Sequence, residues 1–226
     1  MLFYAAGVLD IHLDAFFYSL RFYRELAADT DDWDAVAPRL TGTALSETNE
    51  WLSLSINNAA VPLITPETAA PTTEIYVDAS AWGYGATVRT AGAYFSISRP
   101  WSAAQHAAYN LHSSVVAEPL AVELVVKEVC SSHHPHSVLI WTDHRPIVFA
   151  AARGYAACLC YNRMLSALRT CFPAFSFAFA FVPGISNPAD HLSRGWQKEQ
   201  GEYLVGSMGL RDWAPSVRFP RLVRVG

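Results

Sequence analysis

From about residue 71 onward the sequence predicts an α/β domain, preceded by a helical extension. Two observations carry this. The apolar pattern of the first seventy residues repeats at helical spacing, whereas from Thr72 it switches to an alternation of period two. Further on, apolar strands alternate with amphipathic helical stretches.

In the extension, Leu9, Leu13, Phe16, Phe17, Leu20 and Tyr23 fall on one helical face. A polar Asp-Thr-Asp-Asp break follows within the run from Glu25 to Pro38, and a second helix is expected to start near Ser46, ahead of Trp51. Val61-Pro, Thr65-Pro and Ala70-Pro-Thr-Thr then read as a linker, which divides the chain into residues 1–70, 71–196 and a tail at 197–226.

Strands are expected near Glu74 to Ala79, Gly83 to Arg89 and Ala93 to Ser98, joined by tight turns as in an antiparallel meander. Gly83-Tyr-Gly85 lies between two of these strands and opens no helix, so it is not a phosphate loop. Glu118 opens a helix reaching Cys130, with Leu120, Leu124, Val125 and Val129 turned to the sheet and Glu123, Lys127 and Glu128 away from it. Ser137 to Thr142 is apolar throughout, as a central parallel strand must be. Helices at Arg145 to Ala152 and Tyr161 to Cys171 follow. Phe175, Phe177, Phe179 and Phe181 then alternate with small residues in a last strand, and Asp190 sits in the first turn of a short helix.

About half of the 226 residues are apolar, enough for a substantial core. The longest apolar stretches end well short of the roughly 18 residues that a membrane span requires, and the start lacks a basic leader, so neither a span nor a signal peptide is expected. Cys130, Cys158, Cys160 and Cys171 match neither a zinc pattern nor a disulfide framework, which points to reduced thiols and an intracellular protein. His133, His134 and His136 read as a polar loop. A net charge of −4 argues at first against nucleic acid.

Four acids stand at comparable structural points. Asp78 and Asp143 end strands, while Glu118 and Asp190 begin helices. Carboxylates brought to one end of a sheet cannot all ionise without a compensating cation, and Mg²⁺, which takes oxygen ligands, is the natural one. Neutralising them would leave a basic working face.

Three pieces in this order, Val-Asp78-Ala-Ser with Gly-Tyr-Gly-Ala, Thr-Asp143-His-Arg-Pro, and Val-Pro-Gly184-Ile-Ser-Asn187-Pro-Ala-Asp190-His-Leu-Ser-Arg194, resemble the ribonuclease H domain of retrotransposon reverse transcriptases of the gypsy, DIRS and VIPER kind. With the pattern above, the resemblance implies a five-stranded mixed sheet, three strands antiparallel and two parallel, with helices on both faces. Glu50-Trp51-Leu and Asn57-Asn58 loosely resemble the thumb or connection preceding such a domain, although the polymerase motif Tyr-x-Asp-Asp is missing.

The activity implied is Mg²⁺-dependent hydrolysis of the RNA strand of RNA/DNA hybrids by two ions, which Mn²⁺ can replace, within a longer retroelement polyprotein. Asp78 would bridge both ions, with Glu118 and Asp143 beside one and Asp190 beside the other. Ser80, Arg145, Arg163 and Asn187 are candidate nucleic-acid contacts, and Arg153 and Arg169 are further candidates along the hybrid's path. Pro119 biases Glu118 away from helical dihedrals and leaves Glu123, on another side of the helix, as the alternative ligand. The loop from Val182 to Asn187 lacks the histidine that cellular members carry, which implies slower turnover. His144 and His191 each follow a candidate ligand and are read as neighbours of the site rather than catalysts. The competing reading is a noncatalytic remnant of the same fold that serves as a nucleic-acid-binding or connection module.

Overall fold

The computed structural model describes residues 13–29, 38–57, 71–90, 93–133, 135–195 and 223–225. Five strands, β1 (Thr73–Ala79), β2 (Gly83–Thr90), β3 (Ala93–Pro100), β4 (Ser137–Thr142) and β5 (Ser176–Phe181), lie in the order β3-β2-β1-β4-β5. β1 to β3 pair antiparallel, and β1, β4 and β5 run parallel. This order and direction make a ribonuclease H-like fold. A sixth short strand, β6 (Val223–Val225), pairs antiparallel with β5 at the edge.

Alternation along the strands gives the sheet two faces. Ile75, Val77, Val88, Ile140, Phe177 and Phe179 point into the main core. That face is covered by α4 (Ser114–His133), α5 (Arg145–Arg153) and α6 (Leu159–Cys171). On the other face Tyr76, Leu139, Trp141 and Ala180 pack with Val182 and Ala189, and α7 (Asp190–Arg194) continues from there across β1 and β2.

Two features of the helices differ from expectation. α3 (Ala103–Ala108) is an added short helix, closed by a capping box in which the Ser102 hydroxyl accepts from Gln105 N and the Gln105 side chain accepts from Ser102 N. α4 starts one turn earlier than Glu118, where Ser113 O accepts from the backbone N–H of Val116 and Ala117, and it runs through Pro119. Pro119 is itself buried, so packing overrides its bias and Glu118 stays helical. The buried stripe of α4 is Ala117, Ala121, Val122, Val125, Val126 and Val129, with Leu120 and Leu124 only half-buried beside it.

The extension forms a 3-10 turn (Leu13–Phe16), α1 (Phe17–Asp29) and α2 (Gly42–Asn57), the last starting four residues before Ser46. Leu9, the stretch from 30 to 37, the linker up to Ala70 and the tail up to residue 222 lie outside the described residues. Leu13, Phe16 and Leu20 make a small cluster with Trp51 and with Tyr155 of the domain. Asp14, wholly buried at its side chain, pairs with Arg169 of α6. Arg169 therefore serves the contact between extension and domain, and not the path of a nucleic acid.

An ion pair removed from water is costly to break on one side only. Arg169→Met is expected to lower stability by about 3 kcal/mol, and adding Asp14→Leu should recover most of it. Urea denaturation of both variants checks this; an additive loss in the double variant would refute it.

Candidate active site

β1 and β4 place Tyr76 beside Trp141 in parallel register. Two residues further on, Asp78 in β1 and Asp143, the first residue after β4, come to the same end of the sheet, and Glu118 arrives there from α4. Each of the three offers an oxygen, and these oxygens lie within 4.8 Å of one another. Asp78 and Glu118 are buried and Asp143 is half-buried.

Burial is the leading cause of the electrostatics. It pushes the Asp78 carboxyl up to about 7; the Ser193 hydroxyl opposes the rise, Asp143 and Asp190 add to it, and Arg194 counters it. Glu118 is raised well above the usual carboxylate range, first by burial and then by Asp78 and Asp143. Asp143 is raised mainly by burial as well. One oxygen of Glu118, Oε2, is buried with no hydrogen-bond partner. Converging carboxylates of raised proton affinity, one with an orphaned oxygen, are a donor set that fits a hard divalent cation.

Asp190 stands outside this triplet at the start of α7. Its Oδ1 accepts from Arg194 Nε at 2.8 Å, and its charge reaches both Asp78 and Asp143. Glu123 faces away, paired with Lys127 at 2.6 Å.

The four candidate nucleic-acid contacts divide evenly. Arg145 and Arg163 are exposed, the first stacked over Phe181 with 4.7 Å from guanidinium carbon to ring centre. The second rims a groove with Tyr109, Asn110, Pro119 and Cys160. Ser80 and Asn187 have internal tasks instead. The Ser80 hydroxyl donates to Ser193 O at 2.7 Å and accepts from the N–H of Trp82 and Gly83 in the β1–β2 turn. Asn187, buried, donates to Val77 O at 3.0 Å and accepts from Ala189 N at 3.1 Å. Both side chains thus make hydrogen bonds within the fold, Ser80 half-buried and Asn187 buried.

Residues that the sequence reading passed over form the seat of α7. Ser193, fully buried, donates to Asp78 Oδ2, and Ser98 donates to Leu192 O at 2.8 Å. Arg194 is the counter-charge of the acid cluster. The spacing Asp190, Ser193, Arg194, three and four residues apart, is the signal that could have revealed one working helix face. Gly85, opposite Asp78 in the β1–β2 register, lets α7 sit this close. A Cβ there would come 2.5 Å from Leu192 Cβ and 2.7 Å from Ser193 N. Gly184 is similarly close to Asp143, a Cβ falling 2.7 Å from Oδ2.

Gly85→Ala is therefore expected to displace α7, lower stability by about 1–3 kcal/mol and weaken the stabilisation that Mg²⁺ confers, as thermal melts with EDTA and with Mg²⁺ will show. A second expectation concerns pH. Carboxyls whose affinity for protons is raised by folding bind more protons in the folded state, so their contribution to stability is complete below the unfolded carboxylate range and is lost as pH rises through about 7 for Asp78. The metal-free protein should melt at lower temperature as pH rises from 5 to 8. Asp78→Asn should flatten that slope; an unchanged slope would remove the site as its source.

Comparison with known proteins adds two similar structures. Over 53% of this chain and 94% of its own length, the N-terminal RNase H domain of Rv2228c from Mycobacterium tuberculosis, solved as a fusion with maltose-binding protein, is 17% identical with a TM-score of 0.43. RNase H1 from the halophilic archaeon Halobacterium salinarum NRC-1 is 11% identical with a TM-score of 0.39, over 53% of this chain and 91% of its own. No family model matches the chain, and no curated protein does. The ribonuclease H-like fold is identified by strand order and direction.

Proposed function

We propose that the chain is a divalent-metal-dependent nuclease that cuts the RNA strand of RNA/DNA hybrids, in the service of a retroelement reverse transcriptase. The observation that carries this reading is the convergence of Asp78, Glu118 and Asp143 within 4.8 Å, on a ribonuclease H-like sheet. Asp78 would serve both of two ions, with Glu118 and Asp143 holding one and Asp190 the other. Divalent ions held there would supply an activated water and neutralise charge on the scissile phosphate. Ser193 fixes the rotamer of Asp78, and α4 and β4 hold Glu118 and Asp143 against their mutual repulsion. Arg145 and Arg163, both exposed, are proposed to take phosphates of the hybrid, and RNA is told from DNA by its 2′-hydroxyl.

In this reading residues 1–70 are the end of a reverse transcriptase, 71–196 the nuclease domain and 197–226 a linker. The chain acts inside the cell beside the polymerase of a longer polyprotein.

Purified protein incubated with a labelled hybrid and Mg²⁺ or Mn²⁺ tests the proposal. RNA-strand cleavage with 5′-phosphate and 3′-hydroxyl ends is expected, with single-stranded RNA and duplex DNA spared and Ca²⁺ inactive. Asp143→Asn should lower the rate by about a thousandfold, the several kcal/mol that a metal ligand supplies. Equal cutting of all substrates or 3′-phosphate products overturns the reading, and tight hybrid binding without cleavage makes the protein a noncatalytic module.

A further inference from the structure

The residue after Asp143 has an unusual employment. His144 occupies the N-cap position of α5, yet its side chain makes no capping hydrogen bond. Instead the imidazole Nε2 meets the phenol oxygen of Tyr161 in α6 at 2.8 Å, the rings 5.8 Å apart. His144 is half-buried, and Tyr161, 5% exposed, belongs to the main core. In the same turn His144 N donates to Thr142 Oγ1 at 3.1 Å, Ile147 N donates to His144 O at 3.0 Å, and Arg145 stacks over Phe181. α6 packs along α4, the helix that carries Glu118, and the Tyr161 phenol lies within reach of the Glu118 charge.

We propose that Tyr161 is a positioning residue for the metal centre, its hydrogen bond to His144 acting as a strut that fixes the turn bearing Asp143 relative to the helix pair bearing Glu118. The physical need is plain. Asp143 and Glu118 are carried by different elements, and as they ionise for metal binding they repel one another. The hydrogen-bonded pairing of β4 ends at Thr142, so the aim of the Asp143 side chain depends on the turn that follows. His144 is covalently next to Asp143, and among the described residues the side chain hydrogen-bonded to that imidazole is Tyr161. The inference rests on the carboxylate cluster being a metal centre.

A buried phenol usually finds some partner, so the test must separate a strut from a merely satisfied tyrosine. Mg²⁺ affinity by calorimetric titration, kcat and KM on the hybrid, and metal-free melting temperature are measured for the wild type, Tyr161→Phe, His144→Ala, the double variant and His144→Gln. Tyr161→Phe should bind Mg²⁺ about tenfold more weakly, the usual effect of losing an outer support of a metal ligand. Its kcat should fall in parallel, with KM unchanged. His144→Ala should match it, the double variant should be no worse than either single one, and His144→Gln, whose amide can still meet the phenol, should regain part of the loss. Wild-type affinity and kcat in Tyr161→Phe, or additive losses in the double variant, overturn the strut. If Tyr161→Phe does not fold, His144→Ala decides by the same comparison. A wild type that binds Mg²⁺ without cutting hybrids overturns the proposed activity while the titrations still judge the strut, and one that binds no Mg²⁺ overturns both.

Discussion

Carboxylates crowded together out of water repel one another, and that constraint organises this molecule. Asp78, Glu118 and Asp143 each come from a different element, and each element is anchored where it delivers its acid. β1 and β4 are interior strands of the sheet, and α4 lies against the main core along most of its buried face. A flexible loop could relax the repulsion by moving away. A strand, a packed helix and a turn set directly on a strand end have less room to do so. Burial first, with repulsion added to it, leaves the three carboxyls with raised proton affinity and a disposition to bind a cation.

α7 completes the same enclosure from the opposite face. It has only five residues, too few to persist by its own backbone bonding. What holds it is borrowed from the sheet: Ser80 and Ser98 donate to its last carbonyls, Gly85 clears the space beneath, and Asn187 ties its approach to β1. In exchange α7 contributes Ser193 to Asp78 and the charge of Arg194 to the cluster. Seat and site are thus one structure.

Much of this was legible in the sequence because two periodicities are independent of tertiary detail. Alternation revealed β1 to β3 and β5, an unbroken apolar run revealed β4, and acids at the ends of apolar runs revealed three residues that do converge. What escaped was decided by packing. Pro119 looked like a break before the helix, but its burial carries α4 through it and keeps Glu118 helical. Ser80 and Asn187 looked like polar groups free for a ligand; only the fold shows the carbonyls that claim them. Arg169 looked like another exposed base, and the Asp14 that buries it lies 155 positions earlier by residue number. α3 was missed although Ser102 and Gln105 carry the capping signature, because the stretch is short and has no apolar face to reveal it.

The sixth strand has a consequence of another kind. β5 is rich in phenylalanine and would otherwise end the sheet, presenting unpaired N–H and C=O groups along one border. Such a border is a template on which a second molecule can add a strand, the first step toward aggregates. By pairing Phe177 to Phe179 with its own residues 223–225, the chain occupies that border itself. A short segment remote from any chemistry thereby acts as a guard on solubility.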